Sequence, residues 1–405
     1  MVLISTKTRS RFAPYLPFLT LMSFISFVNI LARVIYSPIT PFICNEMHLS
    51  HAETGNIFLV LSLGFAITLF ASQYFSAMFS HRSTIIFSIL TTGITVMLTA
   101  HTHTFQQFRL AIFTVGISSG LFIPSAVALI RESIPNYHLG KAFGVFGTAQ
   151  SFAFILSPLC IECFVGFVHW RDILNVFGLL SAVLSLFFLF LMHKKAEKSL
   201  PVTFSFIKEV LTWPSFWILN LLLCVINGLN IGIYNMIPDF FERHNLVAMQ
   251  DVNYLIVFAR TISILTALIG GYLVDLLGFK KSLVAVLFVC GVVTTFMGMT
   301  SNPTLALILF CIQSPIAACL MPMIHFGITT IVPNEKNAAI VSIMAPFGFA
   351  FGAGIVPQVL GFFGDSNLYG EGFVIFGFTS LAFALMFSTN AIYKHVHFSQ
   401  FKSME

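Results

Sequence analysis

The sequence predicts an all-α membrane protein, with twelve transmembrane helices in two pseudo-symmetric six-helix bundles. Three observations lead there. Of the 405 residues, 57% are hydrophobic and 9% charged, and the mean hydropathy is +0.93; a soluble chain carries roughly 25% charged residues. The apolar residues fall in runs of the ~20 residues needed to cross a hydrocarbon core. The chain also repeats at an offset of 198: Pro124 answers Pro322, Ile134–Asn136 answers Val332–Asn334, and Arg82 answers Lys280. One extra residue brings Pro158 onto Pro357. A duplicated half is how many carriers are built, because two similar bundles can rock about a site held between them.

The elements follow in order. The first span, 15–43, is long and leads into a complete second span at 54–79, so it reads as a membrane helix and not as a cleaved leader. Spans at 83–100, 105–130, 141–168 and 172–192 complete an N-terminal bundle, 1–192. The polar stretch 193–212, opening His193-Lys194-Lys195, is a linker that leaves the two bundles free to move against each other. Spans at 213–238, 252–274, 282–300, 303–331, 338–363 and 372–393 form the C-terminal bundle, 213–405. Several spans exceed the bilayer thickness, which predicts tilt or kinks. Pro38, Pro158, Pro238, Pro315, Pro322, Pro346 and Pro357 supply places for kinks.

Lysine and arginine set the orientation. Lys7, Arg9, Arg11, Arg82, Arg131, Lys141, Lys194, Lys195, Lys198, Lys208, Lys280, Lys281, Lys336, Lys394 and Lys402 fall on the side of the termini, against Arg109, Arg171 and Arg243 on the other. Both termini are therefore expected to be cytoplasmic, and topology explains the net charge of +5 without nucleic acid. Short loops and the lack of a usable Asn-x-Ser/Thr site are compatible with a bacterial inner membrane. The seven cysteines sit almost entirely in spans and give no disulfide framework. Cys160 and Cys163 read as packing residues, and His48, His51, His101 and His103 lack metal-site partners. No loop is large enough to house an active site. The expectation is a monomer in the lipid bilayer that is not an enzyme and has no cofactor.

The stretch Gly271-Tyr272-Leu273-Val274-Asp275-Leu276-Leu277-Gly278-Phe279-Lys280-Lys281 resembles the signature of the major facilitator superfamily. That signature closes one span and turns into the next on the cytoplasmic side. Gly271, Asp275, Gly278 and Lys280 match it, while Leu276 and Phe279 replace the usual arginines. The first-half copy, Gln73–Arg82, keeps only the terminal base, Arg82, with Ala77 in place of the aspartate. The resemblance implies a cytoplasmic gate made by Gly271, Asp275, Gly278, Lys280 and Arg82, leaning on Asp275. Ile112 stands where the fourth span usually has arginine, and Ala153, Ser157 and Ile161-Glu162 replace glycines of the drug-exporter motif in the fifth. The match is specific for the superfamily and poor for substrate.

Ionisable groups inside a bilayer are costly and mark pathways or pairs. Arg33, Glu162, Arg260 and His325 are the deep candidates. Arg260 precedes Asp275 by 15 residues, which is ~22 Å of helix. The resemblance implies that the spans bearing all four can reach the cavity. Arg33 and Arg260, one in each half, could close on a shared anion, because a guanidinium is a permanently charged planar fork. The rival reading pairs Arg33 with Glu162 and leaves Arg260 to backbone carbonyls or polar neighbours. Glu162 could instead carry a coupling proton, and His325 is either a cavity residue or a packing residue. Asn227 and Asn230, three apart and alongside Tyr234, suit a polar cavity wall or interhelical bonding.

The expected function is a secondary carrier of a small solute, an organic anion, by alternating access with proton symport. An exporter of amphipathic compounds is the alternative. A transport-inactive sensor or lipid-handling protein on the same scaffold is the reading from another class.

Overall fold

The computed structural model describes residues 12–164, 166–191, 204–243, 249–330 and 337–389. Most of the linker, both chain ends and the repeat at Val332–Asn334 lie outside the described residues.

Among the described residues, twelve helices are long and apolar enough to cross a membrane. They are span 1 (Ala13–Met47), span 2 (His51–Phe79), span 3 (His81–Ala100), span 4 (Phe105–Ser133), span 5 (Leu139–Phe164) and span 6 (Trp170–Leu191) in the first half. The second half has span 7 (Pro214–Phe241), span 8 (Asp251–Leu277), span 9 (Phe279–Met299), span 10 (Pro303–Ile328), span 11 (Ile340–Asp365) and span 12 (Tyr369–Ser388). A short helix, Phe204–Leu211, leads into span 7. We call the side where span 1 begins the near face and the side where it ends the far face. The chain is an integral, multi-pass all-α protein.

The duplication holds in three dimensions. Spans 3 and 6 cross where a Cβ on Gly93 would meet the Gly178 carbonyl at 2.5 Å. Spans 9 and 12 cross where a Cβ on Gly291 would meet the Gly377 carbonyl at 2.9 Å. With little hydrophobic force between helices in lipid, backbone approach at small residues is what packs them. The near-face turns repeat as well: Ser80 has φ 78°, ψ 155° before span 3, and Gly278, 198 residues on, has φ 82°, ψ 155° before span 9.

Four spans are interrupted. Span 1 breaks at Ile35 and span 4 at Leu121. Pro38 and Pro124 each lie four residues past a carbonyl, those of Val34 and Gly120, that they cannot pair and would clash with. Span 7 carries a wide π-turn at Gly228–Gly232 and span 11 another at Gly348–Ile355. The two π-turns pack on each other: a Cβ on Gly232 would sit 2.5 Å from the Gly352 carbonyl.

Candidate functional site

A broken helix frees carbonyls, and side chains from neighbouring spans take them. Gln313 Nε2 of span 10 donates to the Leu229 carbonyl at 3.0 Å. Arg260 of span 8 donates Nη2 to the Asn230 carbonyl and Nη1 to the Asn230 Oδ1, both at 2.6 Å. Asn235 Nδ2 donates to the Ala353 carbonyl in the span 11 turn at 3.5 Å. The π-turns thus sit where polar side chains converge, a recurrent feature of functional helices.

Between the halves lies a cavity of two lobes that share Gln150, Phe154 and Ile231. The smaller, about 70 Å³, is bordered by Arg33, Ser62, Phe65, Asn235 and Phe349. The larger, about 220 Å³, is bordered by Asn230, Arg260, Ser263, Ser151 and His325. Among the described residues, no Asp or Glu lines either lobe.

The two arginines differ. Arg260 is 6% exposed and lies between the Tyr234 ring (4.4 Å) and the Phe154 ring (4.8 Å), with Asn230 on its fork. Arg33 lies flat on Phe65 at 4.0 Å, with Phe349 at 6.0 Å, and makes no hydrogen bond or ion pair among the described residues. The Nε of each is enclosed without a protein partner. An unmet buried donor costs roughly 1–3 kcal/mol, and an aromatic face recovers part of that for a cation.

The other expected residues are distributed unevenly. Asn230 reaches the larger lobe, but Asn227 does not border either one. It packs on span 11, where Cβ atoms on Gly352 and Gly348 would meet it at 2.4 and 2.8 Å. The π-turn begins right after Asn227 and contains Asn230; its wider turn rotates one asparagine away from the other, so regular helical spacing misplaces Asn227. Tyr234 is 1% exposed and serves as the plate beneath Arg260. His325 is not deep: it lies near the near-face end of span 10, exposed at the cavity mouth, with Nδ1 2.7 Å from the Met321 carbonyl. Glu162 is not deep either. It is one turn from the far end of span 5 and accepts from Asn253 Nδ2 of span 8 at 3.0 Å, so the Arg33–Glu162 pairing is not formed.

Sequence reasoning missed Gln150, Phe65, Phe154 and Phe349. Gln150 is a polar residue within an apolar run and carried a usable signal. The phenylalanines are three among 48 and carried none.

The halves are tied together at the far face. His51, at the start of span 2, places Nδ1 2.6 Å from Asp239 Oδ2 of span 7, and its backbone N–H donates to Asp365 Oδ1 of span 11 at 2.7 Å. Ala52 N–H donates to the other Asp365 oxygen at 3.2 Å, Asn56 Nδ2 donates to Gln358 Oε1 at 2.7 Å, and Ser37 Oγ donates to the Tyr234 carbonyl at 3.2 Å. Toward the near face the larger lobe is bordered by Gly147 and the exposed His325. A Cβ on Gly140, Gly144, Gly147 or Gly271 would meet nothing within 4 Å among the described residues. Asp275 is exposed and holds no hydrogen bond or ion pair among the described residues. Arg82 Nη2 donates to the Leu189 carbonyl within its own half at 2.7 Å. The residues expected to form the gate lie at the near-face end of span 8, in the turn after it, and at the starts of spans 3 and 9.

The sequence profile described as "Major Facilitator Superfamily" matches residues 22–263. The chain belongs to the Major Facilitator Superfamily. Among curated superfamily relatives, "Multidrug resistance protein MdtG" of Klebsiella pneumoniae (strain 342) is 28% identical over 172 residues, 41% of this chain and 40% of that one. "Probable sulfoacetate transporter SauU" of Cupriavidus necator is 23% identical over 183 residues, 45% of this chain and 43% of that one. The matched stretch thus spans about two fifths of these relatives' length. A solved bacterial homologue of the human lysosomal transporter Spinster, in an inward-facing and occupied conformation, superposes with a TM-score of 0.78 at 16% identity. The superposition covers 93% of this chain and 97% of that one. A D-xylose-proton symporter superposes at 0.74 and 15% identity over 92% and 97%. These likenesses establish the superfamily fold.

Proposed function

We propose that this chain is a secondary carrier that moves a small organic anion by alternating access, coupled to a proton. The observation that carries this reading is Arg33: a permanent cation, held against Phe65 at the inter-half cavity, with no hydrogen bond or ion pair among the described residues. A transported anion supplies the partner that the protein does not. Arg260 adds a second cation from the other half, although Asn230 occupies part of its fork. The near face is the cytoplasmic one, as the Lys/Arg bias and the inward-facing Spinster homologue both support, in a bacterial inner membrane.

Lysine keeps the charge at position 33 but loses the planar fork. Arg33→Lys should therefore raise the KM for the transported anion at least tenfold while detergent-purified protein elutes as wild type does. The solute itself comes from a thermal-shift screen of organic anions, cations and neutral sugars, since a ligand of the folded state raises stability by mass action. A transported solute that is cationic or neutral would sink the reading.

The coupling proton belongs to Glu162 on this reading. Its contact with Asn253 crosses the halves near the far face, so protonation there acts on closure and not on Arg33. Glu162→Gln should abolish accumulation driven by a proton gradient yet leave counterflow exchange within about threefold. Equal loss of both would remove the assignment.

Export of amphipathic compounds is the second reading. Phe65, Phe154 and Phe349 wall the cavity, and relatives are named as multidrug resistance proteins. On that reading Arg33→Lys leaves the KM unchanged.

A further inference from the structure

Arg33 and Arg260 do not share a pocket. Arg33 borders the smaller lobe and Arg260 the larger, and the Phe154 ring, Gln150 and Ile231 stand where the lobes meet. Phe154 is itself stacked under Arg260 and edge-on to Tyr234 at 5.1 Å, so it is a braced partition. Each guanidinium thus presents to its own lobe, with that ring between them.

Each guanidinium nevertheless wants an anion. Neither forms an ion pair among the described residues, and no acid lines either lobe. Asn230 gives Arg260 two oxygens but no charge, and the Nε donors of both arginines remain enclosed without a partner. Two uncompensated positive charges sit in a site of low dielectric, where an ion pair is far stronger than in water. A monoanion would answer one and leave the other.

We propose that the cavity takes a small organic dianion. One anionic group sits on Arg33 in the first half and the other on Arg260 in the second, with a short carbon body passing Gln150 and the Phe154 ring. This deepens the organic-anion reading and rests on it. The lobes together fit a molecule of small-metabolite size, and the division of charge has a consequence for the transport cycle. A ligand with one charged group in each half is bound fully only when the halves sit at the spacing that matches its length. It therefore favours closure where a monoanion does not.

The test uses purified full-length protein and measures binding by calorimetry. The probes are dicarboxylates of three to six carbons, the sulfocarboxylates of matching length, and the half-amide of each dicarboxylate, which keeps length and loses one charge. At least one dianion should bind ten times or more tightly than its monoanionic partner. Arg33→Gln and Arg260→Gln should each collapse that preference to within about twofold, while the half-amide keeps its affinity for at least one of the two variants. Arg260→Gln also removes the Asn230 contact and could unfold the protein; Arg33 makes no such bond, so the Arg33→Gln arm decides the matter alone. Half-amides binding as well as dianions would overturn the dianion and leave the organic-anion reading standing. Binding of none of the probes would overturn the dianion, and a thermal-shift screen in which only neutral or cationic solutes bind would overturn both. A dianion preference that survives Arg33→Gln would also overturn the proposal.

Discussion

Ser80 and Gly278 are one position written twice. Both hold φ near +80° with extended ψ, a region that glycine enters freely and other residues enter at a cost of order 1–3 kcal/mol. Ser80 recovers part of that by capping span 3, its Oγ accepting from Ser83 N–H at 3.5 Å. Glycine at an N-cap is only a few tenths of a kcal/mol worse than serine. Ser80→Gly should therefore raise the midpoint of thermal unfolding, and Gly278→Ala should lower it, each by the equivalent of about 1 kcal/mol. Opposite signs in one thermal melt are the check; a loss in both variants would show that the cap outweighs the strain. The sequence displayed Gly278 as part of a motif, but nothing at Ser80 announced a positive φ. That followed only from the superposable turns.

The same limit applies to whole elements. Twelve spans were legible because each needs a long apolar run, and the runs are bounded by polar turns. The break in span 1 was partly legible, since Pro38, three residues past it, removes a donor; Pro124 stands likewise three residues past the break in span 4 but was marked only by the repeat. The π-turns were not legible. Gly228–Gly232 reads as regular helix, and on that assumption Asn227 and Asn230 share a face. The extra residue turns Asn227 onto span 11 and leaves Asn230 to Arg260. Span 11 accepts this contact only because Gly352 has no side chain: a Cβ there would lie 2.4 Å from Asn227 Cβ and 2.7 Å from the Cys224 carbonyl. Gly352→Ala should overpack the crossing and destabilise the second half by about 1–3 kcal/mol. It should also reduce solute affinity, because the displaced turn carries Asn230. A thermal melt together with a binding isotherm tests this, and wild-type values in both would remove the π-turn from the site.

At the scale of the molecule, two acids stand at opposite faces of the protein. Asp365 reaches across the far face to cap the first N–H groups of span 2, where the helix dipole favours a carboxylate. Asp275, at the near face, is exposed and engages nothing among the described residues. On the proposed carrier reading, the far-closed form relies on Asp365 and the opposite form on Asp275, as the superfamily motif implies. Ser37, buried at the far-face seam, reports which form is present. In a Ser37→Cys background, Asp365→Asn should speed labelling from the far side several-fold, and Asp275→Asn should slow it. Equal rates in the two variants would mean that neither acid biases the equilibrium.

The sequence by itself determined the class, the number of spans, the duplication and the superfamily. Each of these is written in local properties: apolar run length, the spacing of Gly271, Asp275 and Gly278, and a fixed offset between the halves. It also supplied Arg33 and Arg260 as candidates, because a charge in an apolar run is conspicuous wherever it points. Only the tertiary structure decided which charges meet. Arg33 was left to Phe65, Arg260 was given to Asn230, and Glu162 was sent to Asn253 at the far face. The physical reason is that partner choice depends on how helices rotate and cross. Two π-turns and a set of glycine contacts fix that rotation, and a helix carries no mark in its hydropathy of which way a neighbour will turn it.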